Sequence, residues 1–245
     1  MRHFFVPIEQ IADTSLFIAG SDVNHIVNAL RMAPGEKFVA LDGKGSEYLC
    51  AFRSADDERV LADILEKKPV SAELPSKLYL FQGLPKGEKM DFIIQKAVEL
   101  GVYEVVPVIT ERTIVRLDTA KAAKKTTRYN AIAESAAKQA GRGIIPKVLA
   151  PMTWNAALSY AAELDRVLIP YELERNMEKT KRTLGELKPG ESIGVFIGPE
   201  GGFAGREVNE AIDMGAVSIS LGKRILRTET AGLAILAALM FQMEF

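Results

Sequence analysis

Apolar positions in the first third of the chain fall in short runs. Residues 2–6, 16–19, 37–41, 48–52 and 60–65 are rich in apolar, β-branched and aromatic side chains, a pattern that predicts strands. Asp42-Gly43 and Lys44-Gly45 supply hairpin-type turn chemistry between the third and fourth runs. One helix interrupts them: Val23, Ile26, Val27 and Leu30 recur at helical spacing, with Ser21 or Asp22 as its cap. Short strands around a single helix predict a small β-barrel. Pro69 to Pro75 reads as a linker, after which the pattern changes. Residues 78–81, 105–109, 166–169, 193–197 and 217–221 are short and almost wholly apolar, as strands buried on both faces of a parallel sheet are. Helices are predicted between and after them, over 88–100, 118–140, 153–163, 205–214 and 229–243. Alternating strands and helices define the fold class as α/β, with expected domains at 1–72 and 73–245.

Composition narrows the function. The chain has 245 residues, is 48% hydrophobic and 26% charged, and carries 31 basic against 32 acidic side chains. That balance excludes a disordered tail and a uniformly basic nucleic-acid coat. Cys50 is the single cysteine, and no Cys/His cluster has the spacing of a metal site, so no metal is expected. The longest apolar tract, 231–241, is shorter than the roughly 20 residues that span a bilayer. The chain opens on a strand-like run and not on a charged-then-apolar signal peptide, so the expected location is the cytoplasm, away from membranes. The near-zero total hides an uneven distribution. Residues 1–72 sum to -3 and residues 73–245 to +2, while 112–147 alone carries nine cations (Arg112, Arg116, Lys121, Lys124, Lys125, Arg128, Lys138, Arg142, Lys147) against Asp118 and Glu134. A local excess of that size has the character of a phosphate-binding face.

Three loops at predicted strand ends carry candidate chemistry. Ile197-Gly198-Pro199-Glu200-Gly201-Gly202 follows a buried strand and precedes a helix, where α/β proteins place ligand loops. Its glycines permit close backbone approach and positive φ. It lacks the Gly-Lys-Ser/Thr of a phosphate loop, which excludes a nucleotide-phosphate enzyme of that type. The second loop runs Leu221-Gly222-Lys223-Arg224-Ile225-Leu226-Arg227 into Thr228-Glu229-Thr230 and an all-apolar helix capped by Thr228 or Thr230. A helix apolar all round must be buried, in the core or against another subunit. Arg227 stands at its start, where the helix dipole disfavours a cation, which favours a functional role. The third loop is Ile169-Pro170-Tyr171-Glu172.

Together these stretches resemble the RsmE-type ribosomal RNA methyltransferases of the SPOUT class. The matching segments are 1–6, 25–31, 42–45, 97–102, 111–113, 139–142, 197–202 and 221–231, in order and nearly end to end. Lys138 stands where the family usually carries an acid. The resemblance implies a PUA-like RNA-binding β-barrel followed by a trefoil-knotted α/β domain, a homodimer, and S-adenosylmethionine as cofactor. It implies methylation of N3 of a uridine in 16S ribosomal RNA of the small subunit. The cofactor would be held by Ile169, Pro170, Tyr171, Glu172, Ile197, Gly198, Pro199, Glu200, Gly201, Gly202, Leu221, Gly222, Ile225, Leu226 and Thr230. Neutral N3 is a poor nucleophile, so a cation beside the uracil oxygens is needed, for which Arg227 is the candidate. Glu200 or Glu229 would take the proton or orient the arginine. His25, Arg31, Arg112, Arg128, Gln139 and Arg142 are the expected RNA contacts, Arg142 nearest the site. The alternatives are a non-catalytic ribosomal-RNA-binding or assembly protein, and a methyltransferase of the same fold acting on another RNA position.

Overall fold

The computed structural model describes residues 1–70, 72–115 and 117–244; Ser71 of the expected linker, Arg116 of the basic segment and the final Phe245 lie outside the described residues. The chain divides into two compact units, Met1–Glu73 with Ala137–Ile145, and Leu74–Ala136 with Pro146–Phe245.

In the first unit, β1 (His3–Phe5), β2 (Ser15–Ala19), β3 (Lys37–Leu41), β4 (Ser46–Ala55) and β5 (Arg59–Pro69) form one sheet in the order β1-β3-β4-β5-β2. The edge strands β1 and β2 do not pair, so the expected barrel is a half-barrel. Two register shifts in the β4–β5 ladder are the kind of irregularity that adds twist to a sheet. Phe38, Ile18 and Ile26 are buried completely or nearly so in its core. The Asp42 carboxylate accepts the amides of Lys44 and Ser46, and Gly43 and Gly45 take φ of 68° and 100°, so the predicted turn is built as its residues require. The helix begins one residue earlier than expected. Gly20 at φ 84° is its cap, α1 spans Ser21–Asn24, and a single π turn follows over His25–Ala29. Neither Ser21 nor Asp22 caps it; Asp22 pairs instead with Lys138 at 3.2 Å.

Residues 137–145 join this unit because Glu73 anchors them. Its carboxylate accepts the Arg142 guanidinium at 2.7 Å and the amides of Gly143 and Ile144 at 2.8 and 3.2 Å. Gly143 packs against Val70 so closely that a Cβ there would lie 2.6 Å from it.

The second unit is a seven-stranded sheet, β12-β10-β11-β6-β7-β8 with β9 also on β7. The strands are β6 (Lys77–Gly83), β7 (Val102–Ile109), β8 (Lys147–Val148), β9 (Met152–Thr153), β10 (Arg166–Pro170), β11 (Ser192–Ile197) and β12 (Val217–Ile219). Every pairing is parallel. Its helices are α2 (Lys89–Glu99), α3 (Thr119–Ala140, whose last turn belongs to the first unit), α4 (Trp154–Ala161), α5 (Met177–Gly185), α6 (Gly205–Asp213) and α7 (Thr228–Glu244). One sheet face packs Phe81, stacked on Phe196 at 4.5 Å, with Trp154, Phe203 and Val208. On the other face Gly232 brings α7 down onto Leu80, Gln82 and Ile197. The expected strand at 217–221 stops at Ile219, because the buried Thr180 hydroxyl takes the Ser220 amide at 2.8 Å and returns a bond to its carbonyl at 3.2 Å. Helix α5, which supplies Thr180, has no counterpart in the hydrophobic pattern, since Thr180 is its one buried residue.

Arg142→Met is expected to lower unfolding free energy by roughly 3 kcal/mol, the lower end of the range for breaking a buried ion pair, because Glu73 keeps two amides. Urea denaturation followed by circular dichroism checks this; an unchanged midpoint would refute the anchoring role.

Candidate functional site

Parallel pairing sends the loops after β6, β7, β10, β11 and β12 out at the same edge of the sheet, and the predicted chemistry collects there. The loop after β11 is drawn tight by its glycines. The Gly202 amide closes a turn on the Pro199 carbonyl at 2.9 Å, with Gly202 at φ 67°. A Cβ on Gly198 would lie 3.0 Å from the Gly202 backbone, and one on Gly83 would lie 2.6 Å from Pro199. Only glycine fits either place.

This loop is fastened on three sides. Thr228, the first residue of α7, donates its hydroxyl to the Gly198 carbonyl at 2.6 Å and accepts from the buried Gln82 amide at 2.9 Å. The Arg112 guanidinium donates to the Gly201 carbonyl at 2.8 Å. Glu207, 1% exposed, accepts the amides of Ala204 and Glu111 at 2.9 and 2.8 Å and so ties the start of α6 to the loop after β7. The Ala204 contact is one half of a capping box, since alanine has no side-chain acceptor to complete it.

The two candidate acids meet at one lysine. Lys89, at the start of α2, lies 2.9 Å from Glu200 and 3.6 Å from Glu229. Glu200 also accepts the Lys86 amide at 3.1 Å. Burial alone would raise the Glu200 carboxyl, but the hydrogen bonds from Lys89 and from backbone amides outweigh it and hold the group below the usual carboxylate range. Lys89 is pushed up in turn by its bond to Glu200. Glu200 is therefore ionised, engaged and a weak base. One Glu229 oxygen is buried without a hydrogen bond. The Arg227 carbonyl accepts the amides of Thr230 and Ala231, but its side chain is exposed and makes no hydrogen bond or ion pair with a described residue.

The other expected cofactor residues line the same edge. Ile169 and Ile197 are buried strand ends, and the Tyr171 amide bonds the Ile219 carbonyl, joining the β10 and β12 exits. Glu172 stands beside Gly202, where a Cβ would lie 3.1 Å from its carboxylate, and it has no partner among the described residues. Leu221, Gly222 and Leu226 are half-buried, Thr230 is exposed, and the Ile225 side chain is 89% exposed. The unpaired carboxylate of Glu172, the backbone-rich Gly198–Gly202 turn and the apolar strand ends suit a ligand with hydroxyl, amino and flat aromatic parts, and so fit S-adenosylmethionine. A surface cavity of about 260 Å³ lies at the opposite edge, against Asp165, Arg166 and Gly215, and none of these loop residues lines it.

The basic segment is another matter. Arg142, expected to hold a phosphate, is 2% exposed and pairs with Glu73. Arg128 pairs with Asp91 and Glu88, Lys121 with Asp118, and Lys138 with Asp22. Asp118 was already counted in the window, but Asp22, Glu73, Glu88 and Asp91, which neutralise Lys138, Arg142 and Arg128, lie outside it. Arg142 is thereby corrected from an RNA contact to an anchor, and Arg112 serves the glycine loop. His25, Arg31 and Gln139 are exposed residues of the first unit; His25 meets Phe4 edge-on, and Arg31 takes φ 50° at the end of its helix. Among the described residues no group of three or more His, Cys, Asp or Glu could hold a metal ion, and no helix is long and apolar enough to cross a membrane.

Known proteins share this arrangement. A family model for an RNA methyltransferase domain matches residues 72–240, and one for an RNA methyltransferase PUA domain matches residues 18–65. The ribosomal RNA small subunit methyltransferase E of Bacillus subtilis is 35% identical over 250 residues, covering 100% of this chain and 98% of that protein. The chain belongs to the ribosomal RNA small subunit methyltransferase E family. A second member, from Synechocystis, is 30% identical over 96% of this chain and 76% of its own length. The Neisseria gonorrhoeae family member, solved bound to S-adenosyl methionine, superposes with a TM-score of 0.85 at 35% identity, over 98% of this chain and 97% of that one. A Legionella pneumophila putative methyltransferase, solved with the same cofactor, gives 0.84 at 30% identity over 98% and 96%.

Within this family site, Gln82, Lys89 and Glu207 have no place in the sequence expectations, and Thr228, expected only as a possible helix cap, fastens the glycine loop. Polar residues inside apolar runs were the available signal: Gln82 ends a buried strand, and Glu207 opens the apolar face of α6.

Thr228→Val removes the hydroxyl between Gly198 and Gln82 and is expected to cost about 1–3 kcal/mol, the penalty for stranded buried polar groups. Chemical denaturation measures it, and a neutral result would refute the fastening role. A second expectation concerns acid. Glu174, bonded by Lys179, the Asn176 amide and Ser218, is depressed from 4.5 to about 2. Its folded value is the lower one, so its stabilisation is complete above pH 4.5 and is lost as pH falls toward 2. Glu174→Gln should flatten the melting temperature across that window; an unchanged acid slope would show that other groups set it.

Proposed function

We propose that this protein transfers the methyl group of S-adenosylmethionine to N3 of one uridine in 16S ribosomal RNA of the small ribosomal subunit. The observation that carries the reading is the convergence of the three fastened loops at one sheet edge with an unpaired arginine beside them, in a chain whose relatives bear that methyltransferase name. The cofactor, when bound, supplies a sulfonium methyl already activated for displacement. The strand-end loops hold it: Ile169 to Glu172, Ile197 to Gly202, and Leu221, Gly222, Ile225, Leu226 and Thr230, with Glu172 offering its free carboxylate.

The chain's own task is alignment and charge. Arg227, with no acid partner, stabilises the negative charge that builds on the uracil oxygens as N3 loses its proton. Glu200 holds the loop through Lys86 and Lys89, which leaves Glu229 to accept that proton. N3 lies on the pairing edge of the base, so the target uridine must be unpaired or flipped.

The packing of α7 against β6 and β11, far along the sheet from β12, which precedes it, supports the trefoil knot. A homodimer is supported by the outer side of α7, where Ala234, Ala238 and Phe241 are exposed, Phe241 by 66%, together with Phe92 of α2. A second copy would cover that apolar surface.

The test is to incubate the protein with labelled S-adenosylmethionine and unmodified small subunits or naked 16S RNA, and to map the product by mass spectrometry. The expected product carries one methyl at a uridine N3. Arg227→Ala is expected to lower turnover by about 100-fold or more while calorimetry shows unchanged cofactor binding. A label on another atom, or full turnover in Arg227→Ala, would refute the assignment.

A further inference from the structure

Positive charge that already faces a carboxylate is a poor lure for phosphate. In the basic segment at 112–147, Lys121, Arg128, Lys138 and Arg142 are of that kind; Lys124 and Lys147 are exposed without an acid partner among the described residues, and further free cations lie outside the segment. Three of them sit within five residues of the loop before α7. Lys223, Arg224 and Arg227 are all exposed, and none of their side chains makes a hydrogen bond or ion pair with a described residue. No Asp or Glu occurs anywhere from Met214 to Thr228. The next acid, Glu229, is turned toward Lys89 and is not available to the loop. The loop runs straight into the 17-residue α7, whose first amides add positive potential at the same place. Ile225 stands between the cations with 89% of its surface exposed. Covering that side chain on binding would gain free energy in proportion to the apolar area taken from water.

We propose that Lys223 and Arg224 form a clamp for the RNA backbone, binding phosphates that flank the target uridine, while the exposed side chain of Ile225, whose backbone belongs to the cofactor loop, receives the face of an unstacked neighbouring base. Alternating cation and apolar surface matches the alternating phosphates and bases of a single strand. A free phosphate would leave Ile225 bare. The loop continues into Arg227, so a strand held here keeps its target base next to the methyl-transfer site. The inference rests on the RNA methyltransferase reading above and adds to it the place where the strand is gripped.

The test compares Lys223→Gln/Arg224→Gln with Lys181→Gln/Arg182→Gln on α5. The second pair makes the same change in net charge, but its cations already face Glu178 and Glu186. The probe is a short single-stranded oligoribonucleotide containing uridines, titrated over a salt series, with cofactor binding followed separately by calorimetry. Each phosphate contact on a single strand contributes about 0.7 to the slope of log affinity against log salt, so the loop variant should flatten that slope by about 1.4. Its affinity at low salt should fall about tenfold or more, and its cofactor affinity should match the parent. The α5 variant should keep the parental slope. An unchanged slope in the loop variant would overturn the clamp, as would an equal loss in the α5 variant. Loss of cofactor heat would also overturn it, because the loop cations would then serve the cofactor. A parent protein that binds neither cofactor nor RNA would instead refute the methyltransferase reading itself.

Discussion

The parallel pairing of the second sheet is the constraint on which the site depends. A parallel strand cannot return by a hairpin, so each exit loop must leave at one edge while helices carry the chain back. Five exits are thereby gathered without any one of them needing affinity for the others. What remains is to hold them still. The Thr228 hydroxyl does this between Gly198 and Gln82, Arg112 does it at Gly201, and Glu207 does it at Ala204 and Glu111. These contacts use side chains on elements that are already rigid, which is how a loop gains fixed geometry without secondary structure of its own.

Charge is organised on the same plan. Glu200 and Glu229 share Lys89, and the acids that might have quenched Arg227 are occupied. Helix α2 supplies the ammonium that draws both acids to itself and leaves the Arg227 side chain without a carboxylate partner.

Much of this was legible in the sequence, because its signals are local. Buried strands such as β6 and β11 show as continuous apolar runs, the turn at Asp42 as Asp-Gly, and the ligand loop as three glycines around a proline and an acid. What was not legible is pairing over distance. Glu73 and Arg142 are 69 positions apart, and nothing near either one announces the other. The basic excess at 112–147 was real as a count, but Arg128, Lys138 and Arg142 spend their charge on acids outside the window. Helix α5 escaped because a helix with one buried residue has no apolar stripe to read, although its Thr180 ends β12. Gln82 and Thr228 look like ordinary polar residues until the fold brings them together.

The first unit is made from two separate stretches of chain, Met1–Glu73 and Ala137–Ile145. During synthesis its sheet can form early, but the Glu73 carboxylate must wait for Arg142, Gly143 and Ile144 to leave the ribosome. By then more than half of the 245 residues have been made, including β6, β7 and all of α3. The N-terminal unit is thus the first to start and not the first to finish. Its completion therefore overlaps in time with the making of the second unit, in place of preceding it as a unit built from one continuous stretch would.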